Sequence, residues 1–361
     1  MMQEKDRAIL VGVGLQKIIT EKDLDELSEL VKTCGLLEVA RMVQNIKSID
    51  VAYYIGSGKV EELKSLCEHY NANCVVFDVE LSGSKVRNLE RELGVAVLDR
   101  SQVILDIFAQ RATSAEGKLQ VELAQLEYNL PRLAGSSGGN LDKLKNGVGM
   151  RGPGEKKLEL DKRVIRDNIA KLKKEIAKIS VQRGVGRKQS INSRMFRVAI
   201  VGYTNSGKST LMNALTKANV LAENKLFATL DPITKKAYLS DDSGVGAEVL
   251  FTDTVGFISN LPHQFIKAFL STLEETTYAD LLLHVIDASN KEFDKQIDVV
   301  NGVLKSIGAD KIPQIRVFNK CDLVNGKVVT EADDTICISA KNNTNTDKLK
   351  NLIYQKAIKK A

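Results

Sequence analysis

The octapeptide Gly202-Tyr203-Thr204-Asn205-Ser206-Gly207-Lys208-Ser209 has the spacing G-x-x-x-x-G-K-[ST] of a loop that cradles polyphosphate. Its glycines let successive backbone N–H groups curl around a β-phosphate, and a helix opening at Thr210 adds its positive dipole. Lys208 would bridge the β- and γ-phosphates, and the Ser209 hydroxyl would ligate Mg²⁺. Downstream, Asp253-Thr254-Val255-Gly256 offers a carboxylate to hold the metal through water and a Gly256 N–H to meet the γ-phosphate. In Asn319-Lys320-Cys321-Asp322 the carboxylate can accept N1–H and N2–H of guanine, a donor pair that adenine lacks. The Lys320 stem would pack over the base, Asn319 would tie this loop to the phosphate loop, and in Ser339-Ala340-Lys341 the Ala340 N–H would reach guanine O6. Phe227-Ala228-Thr229-Leu230-Asp231-Pro232 supplies a first switch, with Thr229 on Mg²⁺ and the γ-phosphate and Thr234 as the alternative. The expected ligands are GTP and GDP, and the expected catalytic set is Lys208, Thr229 and Gly256.

The residue after Gly256 sharpens this chemistry. Many GTPases place a glutamine there to orient the attacking water. This chain has Phe257, so slow intrinsic hydrolysis stimulated by a partner is expected; His263 and Gln264 lie nearby in the second switch. Asn205 is a candidate ligand for K⁺ as a second cation. Two look-alikes lack the required context. Gly56-Ser57-Gly58-Lys59 would need its first glycine at Tyr53, and no strand precedes Gly147-x-Gly149-x-x-Gly152.

Each nucleotide motif stands at the end of an apolar run: Phe196–Val201, Glu248–Thr252, Ile315–Phe318 and Thr335–Ile338. Short buried strands ending in functional loops predict an α/β domain over residues 195–361. Residues 1–110 predict a second, smaller α/β unit. Its strands are expected at Ala8–Val13, Val51–Ile55, Cys74–Val79 and Val95–Leu98, alternating with helices around Asp23–Lys32, Lys59–His69 and Ser84–Leu93. Over residues 111–194, Leu119, Leu123, Leu126 and Leu130 form one helical stripe; Leu158, Ile165, Ile169, Leu172, Ile176 and Ile179 form another. Two stripes joined by a loop predict an antiparallel helical hairpin, with Val181–Arg194 as a basic linker. The tip loop, residues 134–154, holds seven glycines.

Charge is uneven along the chain. Residues 1–110 carry a net −5, residues 111–194 a net +10, and residues 195–361 a net +1. A concentrated basic excess is the footprint of a polyanion partner, or else a solvated lysine-rich helix face. Lys143, Lys145 and Arg151 in the tip loop are the candidate RNA contacts. Five scattered cysteines with no C-x-x-C pair fit reduced thiols better than a disulfide frame or zinc site. No apolar run is long enough to span a membrane, and the charged first ten residues do not resemble a signal peptide.

Taken together the motifs resemble the HflX GTPases. The resemblance rests on Ile55-Gly-Ser-Gly-Lys59-Val-Glu-Glu-Leu63, Gln120-Val-Glu-Leu-Ala-Gln-Leu126, Leu130-Pro-Arg-Leu133 and Arg151-Gly-Pro-Gly-Glu155. It continues through Gly202–Asn205, Phe227–Pro232, Asp253–Phe257, Leu261-Pro-His263 and Thr272-Leu-Glu-Glu275. It implies an N-terminal α/β subdomain, a helical hairpin and a Ras-like P-loop G domain. It further implies a cytoplasmic, partly membrane-peripheral monomer that binds the rRNA of the large ribosomal subunit and splits or recycles stalled or idle ribosomes under stress. In the family the hairpin tip reaches toward the peptidyl-transferase region, and some members also hydrolyse ATP. Functions tied to the further C-terminal domain of longer members are not expected here. The alternative is a GTP-dependent RNA or ribosome-assembly binding module without splitting activity.

Overall fold

A computed structural model describes residues 6–133, 153–191, 195–216, 226–240, 246–260, 265, 275–324, 332 and 334–360. The tip-loop candidates Lys143, Lys145 and Arg151, together with His263 and Gln264, lie outside the described residues. The chain divides into two compact units, residues 1–110 with 119–175, and residues 111–118 with 176–361.

In the first unit, β1 (Arg7–Leu15), β2 (Leu37–Ile46), β3 (Cys74–Phe77) and β4 (Ala96–Asp99) form an all-parallel sheet of order β2-β1-β3-β4. Helices α1 (Asp25–Cys34), α2 (Ser57–Tyr70) and α3 (Gly83–Leu93) make the crossovers. Ile9, Val11, Val75, Phe77 and Val97 pack with Leu63 and Leu89 on one face, and Ala8 and Leu10 are buried on the other. A parallel sheet covered on both faces needs such near-continuous apolar strands.

One expectation for this unit is corrected, and two further elements, β2 and a helix after β4, are present. Val51–Ile55 is a turn: Asp50 Oδ1 accepts the N–H groups of Ala52 at 2.8 Å and Tyr53 at 2.7 Å, and Val51 is 90% exposed. The strand is β2, an edge strand whose Glu38, Arg41 and Gln44 interrupt the apolar run that betrays its buried neighbours. A further helix, α4 (Arg100–Arg111), follows β4 and buries Val103, Ile104, Ile107 and Phe108 at helical spacing. At its start Arg100 is buried and pairs with Glu26 and, at 2.7 Å, with Asp78.

Helix α5 (Ala115–Asn129) ends in a 3₁₀ turn, Leu130–Leu133. There the Tyr128 hydroxyl donates to Asp99 Oδ1 at 2.7 Å, and the Arg132 guanidinium donates to Asp99 Oδ2 at 3.0 Å while lying 3.5 Å from the Tyr128 ring centre. Leu130-Pro-Arg-Leu133 therefore clamps the root of the tip loop to the end of β4. Helix α6 spans Pro153–Ile191, so the expected linker over 181–191 is helical instead. Gln, Arg and Lys propagate a helix already begun, and two isolated glycines there do not end it. Lys173 on α6 pairs with Glu127 on α5 at 2.7 Å.

The second unit is a six-stranded sheet of order β10-β9-β8-β5-β7-β6. Its elements are β5 (Phe196–Gly202), α7 (Lys208–Thr216), β6 (Ile233–Ser240), β7 (Gly246–Asp253), β8 (Leu281–Asp287), α8 (Phe293–Ser306), β9 (Gln314–Asn319), β10 (Thr335–Cys337) and α9 (Thr346–Lys360). All neighbours are parallel except β6, which runs antiparallel to β7. The central β5 lies between β7 and β8, so the chain crosses to opposite sides of it. The loops beyond its C-terminal end open there into a crevice.

Buried in β8, His284 is 1% exposed and its Nδ1 has no hydrogen-bond partner among the described residues. Burial, with the charges of Arg316 and Lys208, pushes the imidazole down to about 4 from 6.5. The unfolded chain therefore binds the extra proton first as pH falls. Stability present above pH 6.5 is lost progressively toward pH 4, by about 2 kcal/mol between pH 7 and pH 5 from this group. Urea unfolding of a His284→Leu variant at both pH values should lack this component; an unchanged acid limb contradicts the assignment.

Candidate nucleotide site

A cavity of about 720 Å³ opens at the C-terminal ends of β5, β7, β9 and β10, within the size range of small-molecule sites. Of the residues expected to bind nucleotide, Thr204, Asn205, Gly207, Lys208, Ser209, Thr210, Phe227, Thr229, Gly256, Asn319, Lys320, Asp322, Ser339 and Lys341 line it. Gly202, Tyr203, Ser206, Asp253 and Ala340 do not line the cavity but stand behind it, in the walls that hold the lining loops.

The phosphate end is built by the turn from β5 into α7. Lys208 Nζ donates to the carbonyls of Tyr203 at 2.8 Å and Gly202 at 3.2 Å. Burial pushes its ammonium down to about 8, although Asp253 pulls the other way. The hydroxyls of Thr204 and Ser206 are buried without partners among the described residues. A buried cation and the orphaned Thr204 hydroxyl at one cavity, with the Ser206 hydroxyl in the loop behind them, suit an anion of high charge.

Three oxygen-bearing side chains converge beside them. Ser209 Oγ lies 2.7 Å from Asp253 Oδ2 and 2.9 Å from Thr229 Oγ1, and Thr229 Oγ1 lies 3.1 Å from the same carboxylate oxygen. Asp253 Oδ1 is buried and unpartnered among the described residues; burial holds this carboxyl above its ordinary value despite Lys208 and the two hydroxyls. Two hydroxyls and one carboxylate, all hard oxygen donors, fit Mg²⁺, which keeps waters and phosphate oxygens in its remaining positions. Consistent with so few protein carboxylates, no cluster of three or more His, Cys, Asp or Glu residues among the described residues could hold a metal by itself. Thr234 is elsewhere, 3.1 Å from Thr252 across the β6–β7 pair.

At the base end, Asn319 Nδ2 donates to Ser206 O at 2.9 Å, joining the two loops as the sequence predicts. Its Oδ1 accepts the Ala340 N–H at 3.0 Å, so that N–H is directed at Asn319 in this structure. Lys320 Nζ pairs with Asp287 Oδ2 at 2.7 Å, and Asp287 Oδ1 accepts from Ser289 N–H and Oγ at 3.0 and 2.6 Å. Sequence reasoning missed Asp287, although an aspartate closing an apolar run is the signal that exposes Asp253.

The second switch is sewn to the phosphate loop. Phe257 O accepts the Thr204 N–H at 2.7 Å, Phe257 N–H donates to Gly202 O at 3.1 Å, and the Tyr203 hydroxyl accepts the Ser259 N–H at 2.7 Å. A Cβ on Gly256 would come within 2.9 Å of Thr204 Cα, so only glycine permits this approach. The Phe257 side chain is 2% exposed and packs away from the cavity, with no polar atom to orient water.

Such an arrangement can bind and cleave a guanine nucleotide by positioning and electrostatics. Bound Mg²⁺ would supply positive charge against the β- and γ-phosphate oxygens, at Ser209, Thr229 and Asp253. Lys208 and the loop N–H groups can take the charge that develops toward the β-phosphate. The Gly256 N–H can hold the γ-phosphate, and Asp322 can read the base.

Comparison with known proteins agrees along the whole length. Residues 21–109 match a family described as GTP-binding GTPase N-terminal, and residues 111–190 match GTP-binding GTPase Middle Region. Residues 197–320 match 50S ribosome-binding GTPase. The GTPase HflX of Caldanaerobacter subterraneus subsp. tengcongensis is 48% identical over 99% of this chain and 82% of its own length. GTPase HflX of Escherichia coli is 43% identical over 88% of this chain and 74% of its own. Among solved structures, a GTP-binding protein from Sulfolobus solfataricus in complex with GDP is similar, with a TM-score of 0.50 and 27% identity over 98% of this chain and all of that one. The SsGBP and GDP complex gives a TM-score of 0.52 at 28% identity, over 98% of this chain and 99% of that one. Identity at this level reaches well beyond the phosphate loop into both preceding segments, and the chain therefore belongs to the HflX family of GTPases, enzymes that hydrolyse GTP.

Proposed function

We propose that this GTPase acts on the large ribosomal subunit and splits or recycles stalled or idle ribosomes in its GTP-bound form. The observation that carries the reading is the coexistence, in one chain, of a G unit matching the 50S ribosome-binding GTPases and a neighbouring segment of net charge +10. In this reading the segment over 111–194, with Lys143, Lys145 and Arg151, grips rRNA, and the nucleotide times the grip. GTP with Mg²⁺ holds Thr229 and Gly256 in place, and hydrolysis releases them. Phe257 makes turnover depend on the ribosome, and Asn205 holds K⁺ as a stimulating cation. The protein works as a cytoplasmic monomer with a partial peripheral membrane pool; among the described residues no helix is long and apolar enough to cross a membrane.

Sucrose-gradient profiles of whole ribosomes with the protein and GTP, GDP or a non-hydrolysable GTP analogue test this. Subunits should accumulate with the analogue and not with GDP. Added ribosomes should accelerate GTP turnover, more in K⁺ than in Na⁺ buffer. Equal rates in the two salts remove the K⁺ element. Binding without subunit release favours the alternative of a GTP-dependent RNA or assembly module, and no association at all removes the ribosomal target.

A further inference from the structure

Two residues beyond Thr229, the Asp231 carboxylate closes on the segment that opens helix α5. Its Oδ2 accepts from Thr113 N–H at 3.0 Å, Thr113 Oγ1 at 2.7 Å and Ser114 N–H at 2.8 Å, and its Oδ1 accepts from Ser114 Oγ at 2.5 Å. Ser114 Oγ in turn accepts the Gly117 N–H at 2.9 Å, so Ser114 caps α5 and Asp231 grips the cap. The carboxylate also lies at the positive end of that helix, where negative charge is favoured. Gly117 makes the approach possible, because a Cβ there would stand 2.4 Å from Asp231 Oδ1. Four hydrogen bonds, spanning 117 to 118 residues of sequence, fix this carboxylate in one geometry. These contacts lie wholly inside the second unit, and the chain leaves that unit along α5 after residue 118.

We propose that Asp231 is a positioning residue that latches the first switch to the root of α5, so that γ-phosphate occupancy and the order of residues 111–118 are coupled. Thr229 is held between two anchors, the cluster with Ser209 and Asp253 on one side and the latch on the other. A ligand that orders Thr229 favours the latched state. By linkage, anything that strains α5 at its root weakens binding of the triphosphate by the same factor. The inference rests on Thr229 as the first-switch residue, a reading tested in parallel below.

The test compares the full-length protein with Asp231→Ala, Gly117→Ala and Thr229→Ala. Affinities for GDP and for a fluorescent non-hydrolysable GTP analogue are measured with Mg²⁺, and hydrogen exchange follows residues 111–118. In the unaltered protein this segment should exchange more slowly with the analogue than with GDP. Asp231→Ala and Gly117→Ala should each lower analogue affinity about tenfold, leave GDP affinity within about twofold, and abolish the difference in exchange. Gly117→Ala separates the latch from folding, because alanine favours a helix where glycine does not. An unchanged analogue-to-GDP ratio in the two latch variants, with Thr229→Ala selectively losing the analogue, overturns the latch and leaves the switch standing. An unchanged ratio in Thr229→Ala overturns the reading of the switch itself.

Discussion

Asp322→Asn is expected to turn the cavity from guanine to xanthine, lowering GTP affinity on the order of a thousandfold while xanthosine triphosphate becomes the preferred ligand. Guanine presents two donors on one edge, N1–H and the 2-amino group, and a carboxylate offers two acceptors to match. An asparagine offers one acceptor and one donor, the complement of xanthine, which keeps N1–H but carries a carbonyl at C2. Each lost hydrogen bond to a charged acceptor costs about 1.5–3 kcal/mol, and here the Asn amide would also face the guanine amine donor to donor. The loop should keep its shape. Asp322 is exposed in a short 3₁₀ turn, whereas Asn319 and Lys320 are held by Ser206 and Asp287. Competition titration with guanosine, xanthosine and adenosine triphosphates measures the outcome. A variant that still binds GTP within tenfold of the original would remove Asp322 from base recognition, and one that loses all three would point to a collapsed loop.

The parts of the site that were legible in the sequence are those whose chemistry is local. A phosphate loop needs its glycines, lysine and serine consecutively, and the base loop needs Asn319, Lys320 and Asp322 within four residues. What stayed hidden is held across the chain. Asp231 meets Ser114 across 117 residues, Tyr203 meets Ser259 across 56, and Lys320 meets Asp287 across 33. Tyr203 and Asp231 lie in motifs whose pattern speaks for nucleotide and not for these distant partners, and Asp287, although it closes an apolar run, carries no sign of Lys320. The fold divides in the same way. β1, β3 and β5 are continuous apolar runs because both faces of their sheets are covered, but β2 is an edge strand that needs only half of its side chains buried. Val51–Ile55 fails for the opposite reason: its apolar residues follow Asp50, whose side chain offers the backbone a turn instead of a ladder. The stripe over 119–130 did locate α5, yet gave no sign that Ser114 and Gly117 at its start are shaped to receive a carboxylate.

Lys208→Ala is expected to lower GTP affinity by a factor between about a hundred and ten thousand while leaving the nucleotide-free protein as stable as before, or more so. The ammonium is buried among the carbonyls of Gly202 and Tyr203 and beside Asp253, and burial, only partly offset by Asp253, pushes its titration down to about 8, a net cost to the free protein on the order of 3 kcal/mol. A cation kept at such a cost is useful only when a stronger anion arrives. Polyphosphate is that anion, and in a site shielded from water its attraction far exceeds the weak pairing available without it. Removing the ammonium thus takes away an unfavourable feature of the free protein and the main attraction of the bound one. The two carbonyls left behind keep backbone partners, Phe257 N–H for Gly202 O at 3.1 Å and Ser206 N–H for Tyr203 O at 3.3 Å. Thermal unfolding separates the effects: the variant's midpoint without nucleotide should match or exceed the original, and the rise produced by GTP with Mg²⁺ should vanish. Lys208→Arg should fail almost as badly, since a planar guanidinium does not fit where a compact ammonium is enclosed, which shows position to matter as well as charge. A midpoint that falls by several degrees in the free alanine variant would instead make Lys208 a structural strut of the loop, with its two carbonyl bonds outweighing the cost of its charge.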